Sequence, residues 1–505
     1  MSAIPFVAPA SLRRNIAAGW ASAAVSAVVG LAIVPIQLRL LGTEAYGLIG
    51  FCVTLQSILL LLDMGVSATV NREVARCISG EDLLRVAQLL GALEWVCWGV
   101  AAASAAGVAA LAPAMAAGWL NVVDMKVGDV SDALMIAAVL IAMRWPIALY
   151  QSVLLGAQRV VLNSQINVIA VCISAASGIA VITWLAADVR WFLASQAACA
   201  VLQVAALAYA ARVSLGASRG WKTDFGQIGR IWQFSAITGL VTVTGVCFMQ
   251  MDKLLLSKLL TLRELGQYSL AAVLASGLYV VIMPVYNAVY PRFSRLLAAG
   301  EQTQLEELYR FSSQMLAALL APIGVMFGLF SRDLVFAWTG DRALAADVAP
   351  VVSLLVAGAA LHGLMFIPYA LTLARGSAGL ALKINLVLLA LIGPMIAAGA
   401  IGWHAPGAAA AWLLLQLCYV TAGSYATHAV LLPHLRVSWL AQDVGMPVLG
   451  AIAVGVAAAQ VSGDFEMHGS TRALFALVVL VACAAVTFIS SCHLRIRARA
   501  WIART

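Results

Sequence analysis

The stretch Asp132 to Leu155, D-A-L-M-I-A-A-V-L-I-A-M-R-W-P-I-A-L-Y-Q-S-V-L-L, decides the fold. After its opening aspartate it is apolar with one ionisable side chain, Arg144, and it exceeds the roughly 20 residues that cross a bilayer core of ~30 Å at ~1.5 Å per residue. Comparable runs recur near 15 to 38, 47 to 70, 88 to 111, 164 to 186 and 191 to 211. Six more lie near 231 to 256, 267 to 291, 313 to 336, 349 to 373, 380 to 402 and 406 to 431, and two last ones near 442 to 461 and 472 to 491, fourteen in all. The composition agrees. Of 505 residues 63% are hydrophobic and only 10% charged, against about 45–50% and about 25% in a soluble domain. The expected fold class is an all-α polytopic membrane protein, which excludes a cytosolic enzyme, a nucleic-acid binder and a disordered chain.

Charge sets the expected orientation. The net charge of +8, from 30 Lys and Arg against 22 Asp and Glu, reads in a membrane protein as basic cytoplasmic loops rather than a nucleic-acid surface. Alternate connecting segments carry 20 basic residues on one side, including Arg13, Arg14, Arg212 and the tail from Arg495 to Arg504, against nine on the other; Arg144 completes the 30. Both termini are therefore expected in the cytoplasm, with Arg13-Arg14 as a positive anchor of the first span. Seven of nine cysteines sit in apolar runs, and no disulfide framework or CxxC metal pattern is present. The longest loops have only about 20 residues, well short of the ~50 at which domains begin. No nucleotide-binding, zinc-protease or dinucleotide motif occurs, so no enzyme, cofactor or metal is expected. The basic tail suits anionic lipid headgroups.

The segment L-L-G-T-E-A-Y-G-L at 40 to 48 recurs as L-L-T-L-R-E-L-G-Q-Y-S-L at 259 to 270, with Leu262 read against Gly42. Such internal repeats mark transporters whose site lies between halves. The expected organisation is a lobe at 1–211 (six spans), a cytoplasmic linker at 212–230, a second lobe at 231–433 and two further spans with the tail at 434–505.

An ionisable group in hydrocarbon costs about 2.5–3.5 kcal/mol on insertion scales and is a candidate site by default. Arg144 lies about 12 residues into its span, near the midplane, and Pro146 removes a backbone donor and breaks the turn before it. A guanidinium at such a kink can hold a diphosphate with two parallel bonds, or it can pair with Glu94. Glu94, about seven residues into the third span, reads equally as a coupling carboxylate or as that partner. Trp145 and Trp95 are candidates for stacking on sugars. Asp63 and Arg72 at the inner end of span two, and Asp252 and Lys253 at the outer end of span seven, are gate candidates or helix termini held by their own loops. His362 reads as a hydrogen-bonded core histidine.

The run L-L-D-M-G-V-S-A-T-V-N-R-E-V-A-R at 61 to 76 resembles the end of the second helix in O-antigen (Wzx-type) polysaccharide flippases of the multidrug/oligosaccharidyl-lipid/polysaccharide exporter superfamily. So do L-G-T-E-A-Y-G-L at 41 to 48, M-D-K-L-L-L-S-K-L-L at 251 to 260, L-G-Q-Y-S-L at 265 to 270 and Y-P-R-F-S-R-L at 290 to 296, in order along the whole chain. The resemblance implies fourteen helices, as two six-helix lobes around a central cavity plus two C-terminal helices. It implies transfer of an undecaprenyl-diphosphate-linked oligosaccharide from the cytoplasmic to the periplasmic leaflet of the bacterial inner membrane, with the polysaccharide polymerase machinery as a candidate partner. A cation-coupled drug or metabolite antiporter of the same superfamily is the alternative; it would have twelve core spans and an acidic site.

Overall fold

The computed structural model describes residues 12–60, 66–78, 83–215, 228–463 and 470–496, which are almost entirely helical. Among them the one β-type pairing is an isolated bridge between Asn121 and Thr261. This follows from the solvent, because hydrocarbon offers no partner to a backbone N–H or C=O and a helix satisfies both within one segment. Ten helical ranges are long and apolar enough to span a bilayer. Two of these, Ala17–Leu59 with 43 residues and Gly379–Leu431 with 53, would be ~65 and ~80 Å long if straight. Each is broken inside. The first breaks at Gly42, whose φ of 84° suits glycine, and residues 29–37 and 49–56 line one cavity, so the chain doubles back there. The second breaks at Trp403 and His404, and Gly399 and Gly407 meet backbone to backbone, which a continuous helix would hold ~12 Å apart. The helices Ile228–Leu259 and Ser470–Ser490 lie over the runs expected near 231 to 256 and 472 to 491. The segment from Gly300 to Arg310 enters the long helix Gln302–Thr339.

The chain divides into two compact units, one up to Gly266 and one from Gln267 onward. The helix Ile228–Leu259 falls in the first of these units. Its C-terminal end is tied to the loop that follows Trp119. Trp119 Nε1 donates to Ser257 Oγ at 2.9 Å, Asn121 Nδ2 donates to the carbonyls of Lys258 and Leu260 at 2.9 and 3.1 Å, and Lys258 Nζ donates to the Gly118 carbonyl. Glu44 holds the other side of the same loop. Its buried carboxylate accepts the backbone N–H groups of Val123, Asp124 and Met125 at 2.6, 2.8 and 3.0 Å, so a charge inside the protein is met by three fixed donors.

The repeated segments meet within this unit. A Cβ on Gly47 would stand 2.0 Å from the Leu262 carbonyl oxygen, and one on Gly266 would stand 2.1 Å from that of Thr43. The contact is reciprocal and fixes the register: Thr43 corresponds to Leu262 and Gly47 to Gly266. Thr261, not Leu262, therefore stands where the first copy has Gly42. There Thr261 and Glu264 form a capping box, the Thr261 N–H and hydroxyl donating to Glu264 Oε2 at 2.9 and 2.8 Å while the Glu264 N–H donates to Thr261 Oγ1 at 3.2 Å.

In the second unit the long helix Gln302–Thr339 carries the anchors of the last two spans. Asp443 is fully buried; it accepts from Arg310 Nε at 3.0 Å and from Gln314 Nε2 at 2.7 Å. Gln314 Oε1 in turn accepts the His493 N–H at 2.8 Å, and Trp439 Nε1 donates to Ser313 Oγ at 2.8 Å. His428 Nδ1 faces the Ser424 carbonyl at 2.7 Å and must donate to it, which leaves Nε2 as the acceptor for the Tyr309 hydroxyl at 2.8 Å. Below this polar layer Phe330, Ala451, Val479 and Cys483 close an apolar seam.

Two expectations follow. Gly47→Val and Gly266→Val each destabilise by about 1–3 kcal/mol of overpacking, read as a lowered melting temperature in detergent, whereas Gly99→Ala, with open space at its Cβ position, is neutral or stabilising. Arg310→Met strands a buried carboxylate and destabilises by about 3–5 kcal/mol, while the double replacement Arg310→Met with Asp443→Leu recovers most of that loss.

Candidate functional site

The site grows from one missing donor. Pro146 cannot donate to the carbonyl four residues back, and the helix Val127–Ala142 ends at Met143 before a new one, Arg144–Gly156, begins. Arg144 is therefore the first residue of a helix start inside the first unit. It is exposed toward a cavity of about 310 Å³ lined by residues between Val29 and Gln203. Arg144 Nε donates to Gln56 Oε1 at 2.8 Å; the terminal guanidinium nitrogens have no protein partner among the described residues.

The rest of the lining is neutral. Gln37, Gln56, Gln196, Gln203 and Ser174 are its polar members, and Arg144 is its one charged side chain. Gln203 and Gln151 both donate to Asn167 Oδ1, at 3.0 and 2.8 Å, and Gln196 Nε2 donates to the Ser174 carbonyl at 3.0 Å. These bonds hold the amides in place around the guanidinium. A single cation among oriented amides, with no carboxylate, is suited to an anion. The volume lies at the lower end of the ~300–1,000 Å³ of small-molecule pockets, enough for an anionic group and its first substituent rather than a chain of sugars.

Arg144 and Glu94, read from the sequence as a possible pair, are not partners. Glu94 accepts from Arg212 Nη2 at 2.7 Å and from the Tyr150 hydroxyl, so it neutralises an arginine expected in the linker region and lies outside the cavity lining. Trp145 is a correction: although adjacent to Arg144 it points the other way, 6% exposed in an apolar cluster with Val70, Leu90 and Tyr150. Trp95 is a correction of the opposite kind, 68% exposed on the outside of its helix. Neither lines the cavity, because a helix turns 100° per residue and neighbours of an inward-facing residue face elsewhere. Arg72 pairs with Glu73 at 3.0 Å on the surface, and Asp63 lies outside the described residues. Asp252 is buried, 3.8 Å from Lys253 Nζ. His362 is buried as expected for a core histidine, its Nδ1 3.0 Å from Gln416 Oε1. The four glutamines escaped sequence reading because a neutral amide gives no charge signal; their occurrence in otherwise apolar spans was the signal available.

A family model described as polysaccharide biosynthesis protein matches residues 12–297. Among solved structures, the inward-closed form of the lipid II flippase MurJ is similar at 11% identity, with 97% of this chain and all of that chain covered and a TM-score of 0.70. An inward-facing multidrug resistance MATE family transporter of the MOP superfamily is similar at 12% identity, covering 82% and 95%, with a TM-score of 0.63. A MOP superfamily transporter from Pyrococcus furiosus, whose binding pocket is described as of reverse polarity, is similar at 14% identity, covering 85% and 96%, with a TM-score of 0.57. Sequence comparison with curated proteins gives no match. The fold is that of this superfamily.

Glu94→Ala removes the acceptor shared by Arg212 and Tyr150. It is expected to lower thermal stability by about 1–3 kcal/mol without changing anion binding in the Arg144 cavity, as read by melting and by phosphate-analogue titration of the purified protein.

Proposed function

Since the chain belongs to the polysaccharide biosynthesis protein family, a multi-pass membrane family, we propose that it is a flippase. Its substrate is a polyprenyl-diphosphate-linked oligosaccharide, moved from the cytoplasmic to the periplasmic leaflet for surface polysaccharide synthesis. The observation that carries this reading is the Arg144 cavity, in which one guanidinium and a ring of amides meet no carboxylate. The diphosphate oxygens take the free guanidinium nitrogens, and the amides donate to the oxygens left over. The polyprenyl chain, which in its natural form would be undecaprenyl, stays in lipid.

The protein works by alternating access in the bacterial inner membrane with both termini cytoplasmic, in line with 20 basic residues on that side against nine on the other. Breaks at Met143 and Met365 within helical spans supply places to bend. Asp252 and Lys253 serve at an outer gate, and Asp63 and Arg72 at an inner one. No chemical bond of the substrate changes, so the protein acts as a transporter rather than an enzyme. The cation-coupled antiporter of the same superfamily is the weaker reading, since drug cations and coupling protons both call for a carboxylate that this cavity does not offer.

The test is flipping of a fluorescent polyprenyl-diphosphate oligosaccharide in proteoliposomes. Arg144→Ala should slow transfer roughly ten- to a hundredfold, the range expected for losing a charge-assisted hydrogen bond. Arg144→Lys should recover part of it, lacking the planar fork, and Arg144→Glu should abolish it. Wild-type rates for both Arg144→Ala and Arg144→Glu at normal abundance would remove Arg144 from the site.

A further inference from the structure

The two units carry the same helix break with different chemistry. In the second unit the helix Arg342–Leu364 stops at Met365 and restarts as Phe366–Ala374, with Pro368 three residues past the break. That repeats Met143 and Pro146 of the first unit residue for residue, M-R-W-P against M-F-I-P, 222 positions apart. The residue in the place of Arg144 is Phe366.

Phe366 belongs to an aromatic wall. The ring of Tyr286 stands edge-on to it at 5.7 Å and 88°. Tyr286 and Tyr290, one turn apart, have parallel rings at 6.0 Å and 4°, and Tyr286 and Tyr369 lie at 6.4 Å and 25°. Parallel rings 6 Å apart are offset, so they tile a surface instead of covering one another's faces. All three tyrosines and Phe366 are half-buried. None of the three hydroxyls bonds another side chain among the described residues.

Polar side chains flank this wall. The exposed side of the helix Tyr279–Ala298 begins with the apolar Val280 and Met283, then carries Asn287 between Tyr286 and Tyr290, followed by Arg292 and Arg295. An amide and phenol hydroxyls turned toward hydrocarbon would lack partners, so such residues within a span mark an aqueous cavity. A flat aromatic surface with polar edges in a water-filled space fits the apolar face of a pyranose ring, whose hydroxyls project from its rim.

We propose that Tyr286, Tyr290 and Tyr369, edged by Phe366, form a stacking platform within the second unit for the sugars of the lipid-linked oligosaccharide. The proposal rests on the flippase reading for the identity of the ligand. A longer glycan offers the platform more rings, so the contribution of the platform grows with glycan length. The platform also replaces Trp145 and Trp95, the tryptophans that the sequence offered for the same role.

The experiment uses the full-length protein and two probes, a fluorescent polyprenyl diphosphate bearing a tetrasaccharide and the same lipid bearing one sugar. Binding is measured in detergent and flipping in proteoliposomes. The wild type is expected to bind the tetrasaccharide lipid about tenfold more tightly than the monosaccharide lipid, and Tyr286→Leu with Tyr290→Leu should erase that ratio while leaving monosaccharide binding intact. Tyr369→Leu alone, on a different helix, should reduce the ratio, and Tyr286→Phe should retain it; these cover the case in which the double variant does not fold. An equal ratio in wild type and Leu variants, no length preference in the wild type, or equal loss for both probes overturns the platform. Length-dependent binding without flipping would leave the platform standing and overturn the flippase reading instead.

Discussion

A guanidinium held by an amide keeps its whole charge. Arg144 donates to Gln56 at 2.8 Å, and because the acceptor is neutral the cavity remains cationic at membrane depth. A carboxylate in the same place would have satisfied the same donor and cancelled the charge, as Glu94 does for Arg212. The surrounding helices can be understood as the means of keeping such a residue in place. The break at Met143 points it inward, the amides of Gln196 and Gln203 are fixed by Ser174 and Asn167, and the apolar face of the same helix start, with Trp145, is buried in the core.

The fold was legible in the sequence because hydropathy is a property of long windows. Apolar runs located the helices, and Pro146 announced a break that falls within three residues of it. The site was legible only where it was charged. Arg144 stood out as one cation in a run without others, whereas Gln37 and Gln56, which share its cavity, look like ordinary polar residues in one dimension. Direction was the other loss. Trp95 and Trp145 lie next to conspicuous residues in the chain, and helical geometry sends them elsewhere. The partner of Glu94 comes from Arg212, 118 positions away, a separation that no local pattern encodes.

The repeat shows how a duplicated scaffold diverges. Gly47 and Gly266 keep their mutual approach, since neither position has room for a side chain. The turn before each helix has been solved differently, by a positive φ at Gly42 in one copy and by the Thr261–Glu264 capping box in the other. Breaks at Met143 and Met365 occur in both units, while the residue after them is arginine in one and phenylalanine in the other. Backbone constraints have thus outlasted side-chain chemistry.

The loop between Trp119 and Val127 has a consequence for how the chain is made. Its donors to Glu44 emerge 79 to 81 residues after that carboxylate, and the carbonyls that receive Asn121 emerge 137 and 139 residues after Asn121 itself. At ~5–20 residues per second of synthesis, Asn121 waits roughly 7–28 seconds for them. During that interval the fourth, fifth and sixth apolar runs are themselves synthesised, while the loop is fastened on its Glu44 side only. A chain stopped near residue 211 would lack the Lys258 and Leu260 carbonyls that receive Asn121, and with them one side of this loop's fastening.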